Sequence, residues 1–468
     1  MKTPRKIFIL VPDGTGLRNF AYTDFYQQAQ ARGHEVTFWH FTPFDFASMG
    51  YRESVITSPK THWWTNILKI LRIRYDIFSN IKRTGDSIYS CYLFKLPYRT
   101  VRESVKNLVV EAYLLFLGPE KGARLVREKM IEKESATPYF KQCVETLQRE
   151  KPDVVFCTNQ RTVYAVAPML AAKSLGIPTA TFIFSWDNLP KATLVLEPDY
   201  YLVWSDYMKK ELQFYYPYIA EQQIYVTGTP QFEPHTYRRL LMSKEIFFNR
   251  HNLDHGKRYV CFSGDDITTS PYDHVYLRDL AAAVRKWNET EQMPLGVIFR
   301  RCPVDFSARY DDVLEEFSDV ITPIAPLWER KEDRWNGILP TAADLELLIN
   351  TIAHTEFVVN LGSSMVFDYI SFDNPSVYVA YDGGAVTQCR SVETIYRYVH
   401  FRSMPSPEAV LWVKNPADFP AVIRKALGNP QETLAAAKDW FRKINLQPAQ
   451  DASFRILNTL EEISIINE

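Results

Sequence analysis

The sequence predicts an α/β protein with two domains, each built around a parallel, doubly wound sheet. Apolar strands alternate with helical stretches, and the alternation starts again after "VTGTPQFEPH", residues 226–235. A chain of 468 residues is also too long for one hydrophobic core and suits two domains and a tail. We therefore expect two Rossmann-like domains that face one another, over residues 1–235 and 236–430.

The first domain opens on "KIFILVPDGTGLRNFAYTDFYQQAQARGHEVTFWHF", residues 6–41, which has the pattern of strand, glycine loop, helix and strand. Residues from about 58 to 148 lack strand patterns and are predicted to form a helical insertion. Further strands are predicted at 153–157, 179–184, 200–204 and 224–227, with a helix at 161–175.

The second domain repeats this order from "RYVCFSGDD", residues 258–266, which reads as a strand that enters a loop. A helix is predicted at 275–291, a strand at "GVIFRRCP", residues 296–303, a helix at 343–354, and strands at 357–359 and 377–380. The tail, residues 431–468, is predicted to be helical and to pack back on the first domain.

Composition excludes several classes of function. Apolar residues make up 46% of the chain and charged residues 23%, as in globular proteins, and the net charge of −1 gives no reason to expect nucleic acid. The six cysteines include no C-x-x-C pair and no D-x-D occurs, so no bound metal is expected. The apolar run 7–11 is too short for a signal peptide, and no stretch of 18 apolar residues occurs, so a cytoplasmic protein is expected.

Polar residues follow two predicted strands of the first domain, where ligands of open α/β sheets bind. "PDGTGLRN" supplies Asp13, Gly14, Gly16, Arg18 and Asn19, but it lacks the third glycine of a dinucleotide site. The alternative is that the two glycines only shape a turn. "FSWDNLP", residues 184–190, supplies a second set after a strand, and its tryptophan has packing as the alternative role: Trp186, Asp187 and Asn188.

Three strand ends of the second domain carry residues that suit a pyrophosphate. The stretch "EFVVNLGSSMVFDYISFDNPSVYVAYD", residues 356–382, places Gly362, Ser363 and Ser364 where a helix begins, and free N–H groups there attract phosphate. The alternative is an ordinary turn whose serine caps the helix. The same strand end carries the amide of Asn360, and the other two strand ends supply Ser263 and Gly264, and Arg300, whereas Arg301 is as well explained by solvation.

Four stretches together resemble a known family. "VPDGTGLRNF", "SWDNLPKATLVLEPDYYLVWSDYMKKEL", "VTGTPQFEPH" and "NLGSSMVFDYISFDNPSV" resemble the GT-B glycosyltransferases of bacterial surface-polysaccharide synthesis. The layout is also similar to the epimerases that act on UDP-N-acetylglucosamine and to the CDP-glycerol glycerophosphotransferases of teichoic acid. The helical insertion has no counterpart in this resemblance.

The resemblance implies that the second domain binds a nucleoside diphosphate sugar without metal or other cofactor. Gly362, Ser363 and Ser364 would hold the pyrophosphate, and Asp368 would hold the ribose, where the family more often has Glu. Asp13 would be the general base that activates an acceptor hydroxyl, with Asp187 as the substitute. An epimerase, a glycerophosphotransferase and a non-catalytic binding module stay open as alternatives.

The insertion contains a basic, tryptophan-bearing segment, "KTHWWTNILKILRIRYDIFSNIKR", residues 60–83. Such a segment is typical of peripheral contact with an anionic membrane at its inner face, where the family extends lipid-linked glycans. The alternative is a helix packed on the domain with solvated cations. We expect the contact to depend on Trp63 and Trp64.

Overall fold

The computed structural model describes residues 3–331 and 337–465, which divide into two compact units. Of these residues, the first unit comprises 3–231, 331, 337–339 and 444–465, and the second comprises 232–330 and 340–443.

The first unit is built on a seven-stranded sheet with the order β3-β2-β1-β4-β5-β6-β7, in which every neighbouring pair is parallel. Ile7 to Val11 in the central strand are fully buried, as expected for a parallel sheet covered by helices on both faces. The strands are β1 Lys6–Val11, β2 Glu35–His40, β3 Arg52–Val55, β4 Val154–Cys157, β5 Thr179–Phe182, β6 Tyr200–Val203 and β7 Ile224–Val226.

The described residues 3–231 contain eight α-helices beside this sheet, and four of them form the predicted insertion. They are α1 Thr15–Phe20, α2 Phe25–Ala31, α3 Thr65–Thr84, α4 Val101–Phe116, α5 Pro119–Ser135, α6 Pro138–Glu150, α7 Val166–Ser174 and α8 Asp206–Tyr215. The region between β3 and β4 is therefore helical, as the sequence predicts.

Helix α3 occupies most of the segment predicted to lie on a membrane, and it is a core helix. Leu71 and Tyr75 are fully buried where α3 packs against α5, and Arg72 is buried with an ion pair to Glu197. Trp64 packs against the same core, so only Trp63 of the tryptophan pair is well exposed. The apolar face of this segment is thus already used inside the unit. In the described residues no helix combines the length and apolarity of a membrane-spanning segment.

The second unit contains a six-stranded parallel sheet with the order β10-β9-β8-β13-β14-β15. The strands of this unit are β8 Arg258–Ser263, β9 Leu295–Arg300, β10 Ile321–Pro323, β11 Glu329–Arg330, β13 Val358–Asn360, β14 Ser376–Val379 and β15 Leu411–Val413, whereas β12 Ile338–Leu339 belongs to the first unit. The helices are α9 Lys244–Arg250, α10 Asp273–Thr290, α11 Asp311–Glu316, α12 Ala342–Ala353, α13 Met365–Ile370, α14 Val392–Tyr396, α15 Phe419–Gly428 and α16 Gln431–Ile444.

The two sheets share one topology. In each, the chain lays down three neighbouring strands outward from the centre and then returns to add the rest on the other side. The direction reverses between β1 and β4 in the first sheet and between β8 and β13 in the second. Ligands of such sheets bind beyond the carboxyl ends of the strands at these switch points.

The C-terminal tail divides between the units. Trp440 of α16 is fully buried, and its indole N–H donates to the Ser403 hydroxyl at 2.9 Å within the second unit. The last helix, α17 Ala452–Ile465, belongs to the first unit and packs against α2 and β4. Its Glu461 lies 2.9 Å from Arg32 Nη1. The tail predicted as one segment from residue 431 is therefore two segments in the structure.

Candidate functional site

Asp13 lies at the switch point of the first sheet. It follows β1, and its Oδ2 accepts a hydrogen bond of 2.6 Å from Nδ2 of Asn159, which follows β4. Its Oδ1 accepts from the Thr15 N–H at 3.1 Å and from the Thr15 hydroxyl. Three donors therefore hold the carboxylate between two adjacent strand ends.

Asp187 follows β5 and has a different set of partners. Its Oδ1 accepts from the Ser185 hydroxyl at 2.7 Å and from Asn188 Nδ2 at 2.8 Å. Its Oδ2 forms an ion pair with Lys191, one helical turn further along the chain. This carboxylate is thus already neutralised by a local cation.

Asn159 and Gln160 connect these two sequence-predicted sets. Asn159 bonds Asp13, and Nε2 of Gln160 donates to Asn188 Oδ1 at 2.8 Å. Sequence analysis did not single out either residue. The available signal was the polar "TNQ" directly after the apolar strand "VVFC", at the same sheet edge as Asp13.

Several of the predicted acceptor-side residues have packing roles. A side chain on Gly16 would come within 2.4 Å of the Thr158 hydroxyl, so glycine lets α1 approach the end of β4. Gly14 precedes α1 with ordinary right-handed helical angles. Asn19 and Trp186 are buried, whereas Arg18 is half-buried in the last turn of α1.

The helical insertion supplies a cation to this site. Burial lowers the pKa of the Lys69 ammonium, the nearby Arg161 lowers it further, and Asp13 opposes the shift. Arg72, three residues after Lys69, donates to the Val195 carbonyl at 2.8 Å, and the Val195 N–H donates to the Gln160 carbonyl at 3.0 Å. These bonds tie α3 to the loop that follows β4.

The loop between β13 and α13 lies at the switch point of the second sheet. Gly362 has a φ of +65°, and a side chain there would come within 2.8 Å of Phe401, so both conformation and space require glycine. The Ser363 N–H donates to Asn360 Oδ1 at 2.9 Å. Within the described ranges, the Ser364 hydroxyl makes no hydrogen bond and the fully buried Nδ2 of Asn360 has no partner.

The end of β8 lies beside this loop, because Phe262 pairs with Val359 in the sheet. Gly264 allows a close approach of Tyr310, because a Cβ atom at position 264 would lie only 2.9 Å from the Tyr310 hydroxyl. The next residue, Asp265, donates its N–H to buried Asp273. Burial raises the pKa of Asp273 to about 6, although the hydrogen bonds from the Ser270 hydroxyl and the Asp265 N–H each lower that pKa.

Arg300, predicted as the cation for the donor, is occupied elsewhere. Its Nη2 donates to both carboxylate oxygens of Asp344 at 2.9 Å, and both side chains are only 8% exposed. The neighbouring Arg301 is partly exposed, lies 4.0 Å from the exposed Asp311 carboxylate, and lies over the ring of Tyr310 at 5.1 Å. Successive side chains of a strand point to opposite faces, which explains why the two arginines differ.

Asp368, predicted to hold the ribose, is enclosed by the second unit. Its side chain is 4% exposed, and Oδ1 lies 3.0 Å from Nε2 of His235, which is 1% exposed. Helix α13 has only six residues and is buried from Val366 to Ile370, so a carboxylate one turn below its start does not reach the loop surface. This placement argues against contact between Asp368 and a ribose.

Among the described residues, no cluster of three His, Cys, Asp or Glu side chains is arranged to hold a metal ion. The second-unit loop offers hydroxyl and backbone N–H groups, which suit an anionic ligand. The first-unit site offers the Asp13 carboxylate, whose direct hydrogen-bond partners are neutral hydroxyl, amide and backbone N–H groups, and such a carboxylate can take a proton from a bound hydroxyl.

No family model matches the sequence, and no curated protein matches it. Solved structures do match over nearly the whole chain. The S. aureus MnaA structure with UDP shares 13% identity, covers 99% of this chain and 98% of its own, and has a TM-score of 0.54.

Two further structures match to a similar extent. A glycosyltransferase from Rickettsia africae shares 9% identity over 99% of this chain and 100% of its own, with a TM-score of 0.52. The UDP-GlcNAc 2-epimerase of Methanocaldococcus jannaschii shares 14% identity over 97% of this chain and 99% of its own, also with a TM-score of 0.52. Together with the two parallel sheets, these likenesses show that the chain has the two-domain α/β fold of the GT-B class.

Proposed function

We propose that this protein is a glycosyltransferase that moves a sugar from a nucleoside diphosphate sugar to a hydroxyl group of a surface-glycan or lipid-linked acceptor. The observation that carries the proposal is the second-unit loop at the sheet's switch point. There a required glycine, the Ser364 hydroxyl, which does not cap α13 and has no hydrogen bond to a described residue, and the start of a helix lie beside the end of β8. This combination suits a diphosphate better than it suits a packed turn.

The donor diphosphate would bind at Gly362, Ser363 and Ser364. It gains negative charge as the sugar leaves, and a reaction without metal needs a cation and N–H groups to stabilise that charge. We assign this cation to Arg301, because Arg300 is held by buried Asp344, whereas Arg301 is partly exposed over Tyr310 and its ion pair with the exposed Asp311 is long, at 4.0 Å. Ser263, Gly264 and Asn360 would complete the donor side.

The base would be Asp13, which takes the proton of the acceptor hydroxyl as that oxygen attacks the anomeric carbon. Asp187 is the weaker candidate, since its ion pair with Lys191 stabilises the charged form and occupies one oxygen. Asn159 would hold Asp13 in position through its 2.6 Å hydrogen bond.

An epimerase on the same fold is the second candidate. One of the solved structures named above is a UDP-GlcNAc 2-epimerase, which is why this activity is kept as the alternative. An epimerase needs the nucleotide-sugar site but no acceptor, so the products formed without acceptor distinguish the two activities.

The test is incubation of the purified protein with a panel of nucleotide sugars, with and without glycan acceptors, followed by chromatography of nucleotides and sugars. We expect release of a nucleoside diphosphate that increases when an acceptor is added. An isomerised nucleotide sugar without acceptor would establish the epimerase instead. Nucleotide binding with no product under any condition would overturn both and leave a non-catalytic binding module.

We place this reaction in the cytoplasm, next to the inner face of the membrane if the acceptor is lipid-linked. The sequence predicts peripheral contact through residues 60–83, but Ile67, Leu68 and Leu71 of α3 in that segment are buried. The segment therefore has less apolar surface available to a membrane than its sequence suggests.

A further inference from the structure

Helix α4 presents an apolar face to solvent, which inverts the usual arrangement of a surface helix. Val101, Val105, Leu108 and Leu115 recur at the spacing of one helical face, and Val101 and Leu115 are each 83% exposed. Phe116, at the end of the helix, is 85% exposed, and Phe94, shortly before it, is 79% exposed. We call these six residues the outer face of α4.

The opposite side of α4 holds the helix on the first unit. Val110 is fully buried, Asn107 is buried with its Nδ2 donating to the Pro97 carbonyl, and Leu114 packs against the core cluster. The helix is also anchored at its start by a capping box between Thr100 and Glu103. The outer face is therefore exposed on a well-fixed helix rather than on a frayed end.

Charge indicates what covers this face. Residues 94–117 contain four cations, Lys95, Arg99, Arg102 and Lys106, and two carboxylates, Glu103 and Glu111, so the segment has a net charge of +2 in a chain of net charge −1. Over the residues that the structure describes, none of the four cations has an ion pair.

Both carboxylates, in contrast, already have partners. Glu103 accepts the N–H groups of Arg99 and Thr100 at 3.1 and 3.2 Å, and Glu111 accepts the Tyr98 hydroxyl. Tyr98 and Tyr113 are themselves partly exposed beside the outer face. Exposed apolar residues flanked by tyrosines and unpaired cations are the composition of an interfacial helix on an anionic membrane.

We propose that the outer face of α4 docks the protein on anionic lipid headgroups, with α4 lying in the plane of the membrane surface. Leu115, Phe116 and Phe94 enter the boundary of the acyl chains, while Arg102 and Lys106, on one flank of the helix, contact the phosphates. This inference does not depend on the proposed sugar transfer, because it concerns a surface that carries none of the candidate site residues.

The experiment is flotation of the full-length protein with vesicles made of phosphatidylcholine and phosphatidylglycerol in equal parts, compared with pure phosphatidylcholine. We expect flotation with the anionic vesicles only, and loss of it as salt is added, since surface charges are screened within about 8–10 Å at ordinary ionic strength. Leu115→Gln/Phe116→Gln should weaken binding by at least about tenfold, because these side chains supply much of the apolar contact.

Two further variants complete the design. Arg102→Gln/Lys106→Gln should weaken binding to anionic vesicles on the order of fivefold for each cation removed. Ile246→Gln/Ile465→Gln is the matched control, because it makes two exposed apolar residues polar elsewhere on the chain and should bind as the parent does. Circular dichroism and thermal unfolding check that each variant is folded.

Three outcomes would overturn the proposal. The parent protein fails to float with anionic vesicles at low salt, or the Leu115→Gln/Phe116→Gln variant floats as well as the parent. The third outcome is that the parent forms a dimer, the Leu115→Gln/Phe116→Gln variant stays monomeric, and neither protein binds vesicles. This result would make the outer face of α4 an interface between copies of the chain.

Discussion

Asp13 and Asp187 differ in what already holds their carboxylate oxygens. Asp13 accepts hydrogen bonds from neutral donors, Thr15 and Asn159, whereas Asp187 is paired with the ammonium of Lys191. A base has to accept a proton during the reaction, and a fixed cation opposes that step. This contrast makes Asp13 the better candidate.

Asp13→Asn should keep nucleotide binding and lower turnover by about 10²- to 10⁴-fold, because the amide keeps the shape of the side chain and lacks basicity. Asp187→Asn should have a much smaller effect. Steady-state kinetics and calorimetric titration with UDP measure the two quantities separately. Near-normal turnover of Asp13→Asn together with a slow Asp187→Asn would reverse the assignment.

Asn159→Asp should shift the pH dependence of the reaction. A second carboxylate within about 3 Å of Asp13 raises the pKa of the pair, because two like charges at that distance disfavour double ionisation. The acidic limb of the kcat/KM profile should then move to higher pH by about one unit or more.

Asn188→Asp is the matched control, since it places the new carboxylate next to Asp187 instead. The acidic limb of its kcat/KM profile should lie at the same pH as in the parent protein. A shift in the Asn188→Asp profile and none in the Asn159→Asp profile would contradict the role of Asp13.

Sequence patterns predict which strand ends carry polar residues but not which of two neighbouring side chains is left exposed. Arg300 and Arg301 are adjacent and chemically equivalent in sequence, and the burial of the first depends on Asp344, 44 residues away. The burial of Asp368 likewise depends on a residue far away in sequence, because His235 packs against its carboxylate. Such choices depend on tertiary partners that local periodicity does not contain.

Sequence analysis located most of the strands that contain a run of apolar residues, and it missed several short strands. The buried strands β1, β4, β8 and β9 contain apolar runs, and sequence analysis locates all of them. Strands β3, β10 and β15 are short edge strands with exposed or mixed positions and were missed, as were the two-residue strands β11 and β12. The apolar face of α3 was located correctly, but its burial against α5 follows from packing alone.

The β13–α13 loop leads to a prediction about donor affinity. Ser363→Ala/Ser364→Ala should weaken UDP binding by at least about tenfold, because a hydrogen bond to a charged phosphate is worth about 1.5–3 kcal/mol and one decade of affinity is about 1.4 kcal/mol. Ser371→Ala, just after the same helix, is the control, since its hydroxyl donates to the Phe367 carbonyl. Calorimetric titration gives the comparison, and equal affinities of a folded double variant and the parent would return the loop to a structural role.

The start of α10 leads to a prediction about stability and pH. Because burial raises the pKa of Asp273 to about 6, the folded protein binds a proton there that the unfolded chain has already released. This carboxyl therefore makes the free energy of unfolding fall as pH rises from about 4 to about 6, by about 3 kcal/mol at most. Asp273→Asn should remove that fall, so the variant's stability relative to the parent should increase over this window.

Urea unfolding at several pH values measures this difference, and the comparison with the parent cancels the titration of other groups. Asp312→Asn, an exposed aspartate of α11, is the control. A constant difference between Asp273→Asn and the parent from pH 4 to 7 would show that Asp273 titrates normally.

Across the whole chain, the same strand order occurs twice with different chemistry at its centre. The first switch point carries the Asp13 carboxylate with Asn159, and the second carries the glycine and serine loop with the Ser364 hydroxyl. A shared topology places polar residues at equivalent edges, and under the proposed function the residues at the first edge would remove a proton while those at the second would bind the anion.

This division of roles predicts where a nucleotide protects the backbone from hydrogen exchange. With saturating UDP, peptides that cover the end of β8 and the loop from residue 360 to 366 should exchange more slowly, because bound ligand stabilises the segments that contact it. Peptides from the outer face of α4 should exchange at the same rate with and without UDP. Hydrogen exchange read by mass spectrometry covers all these segments in one experiment, and the Ser363→Ala/Ser364→Ala variant supplies the comparison without the two hydroxyls. Protection confined to the peptide of residues 11–19, with none at 360–366, would place the nucleotide on the first unit and overturn the assignment of the donor site.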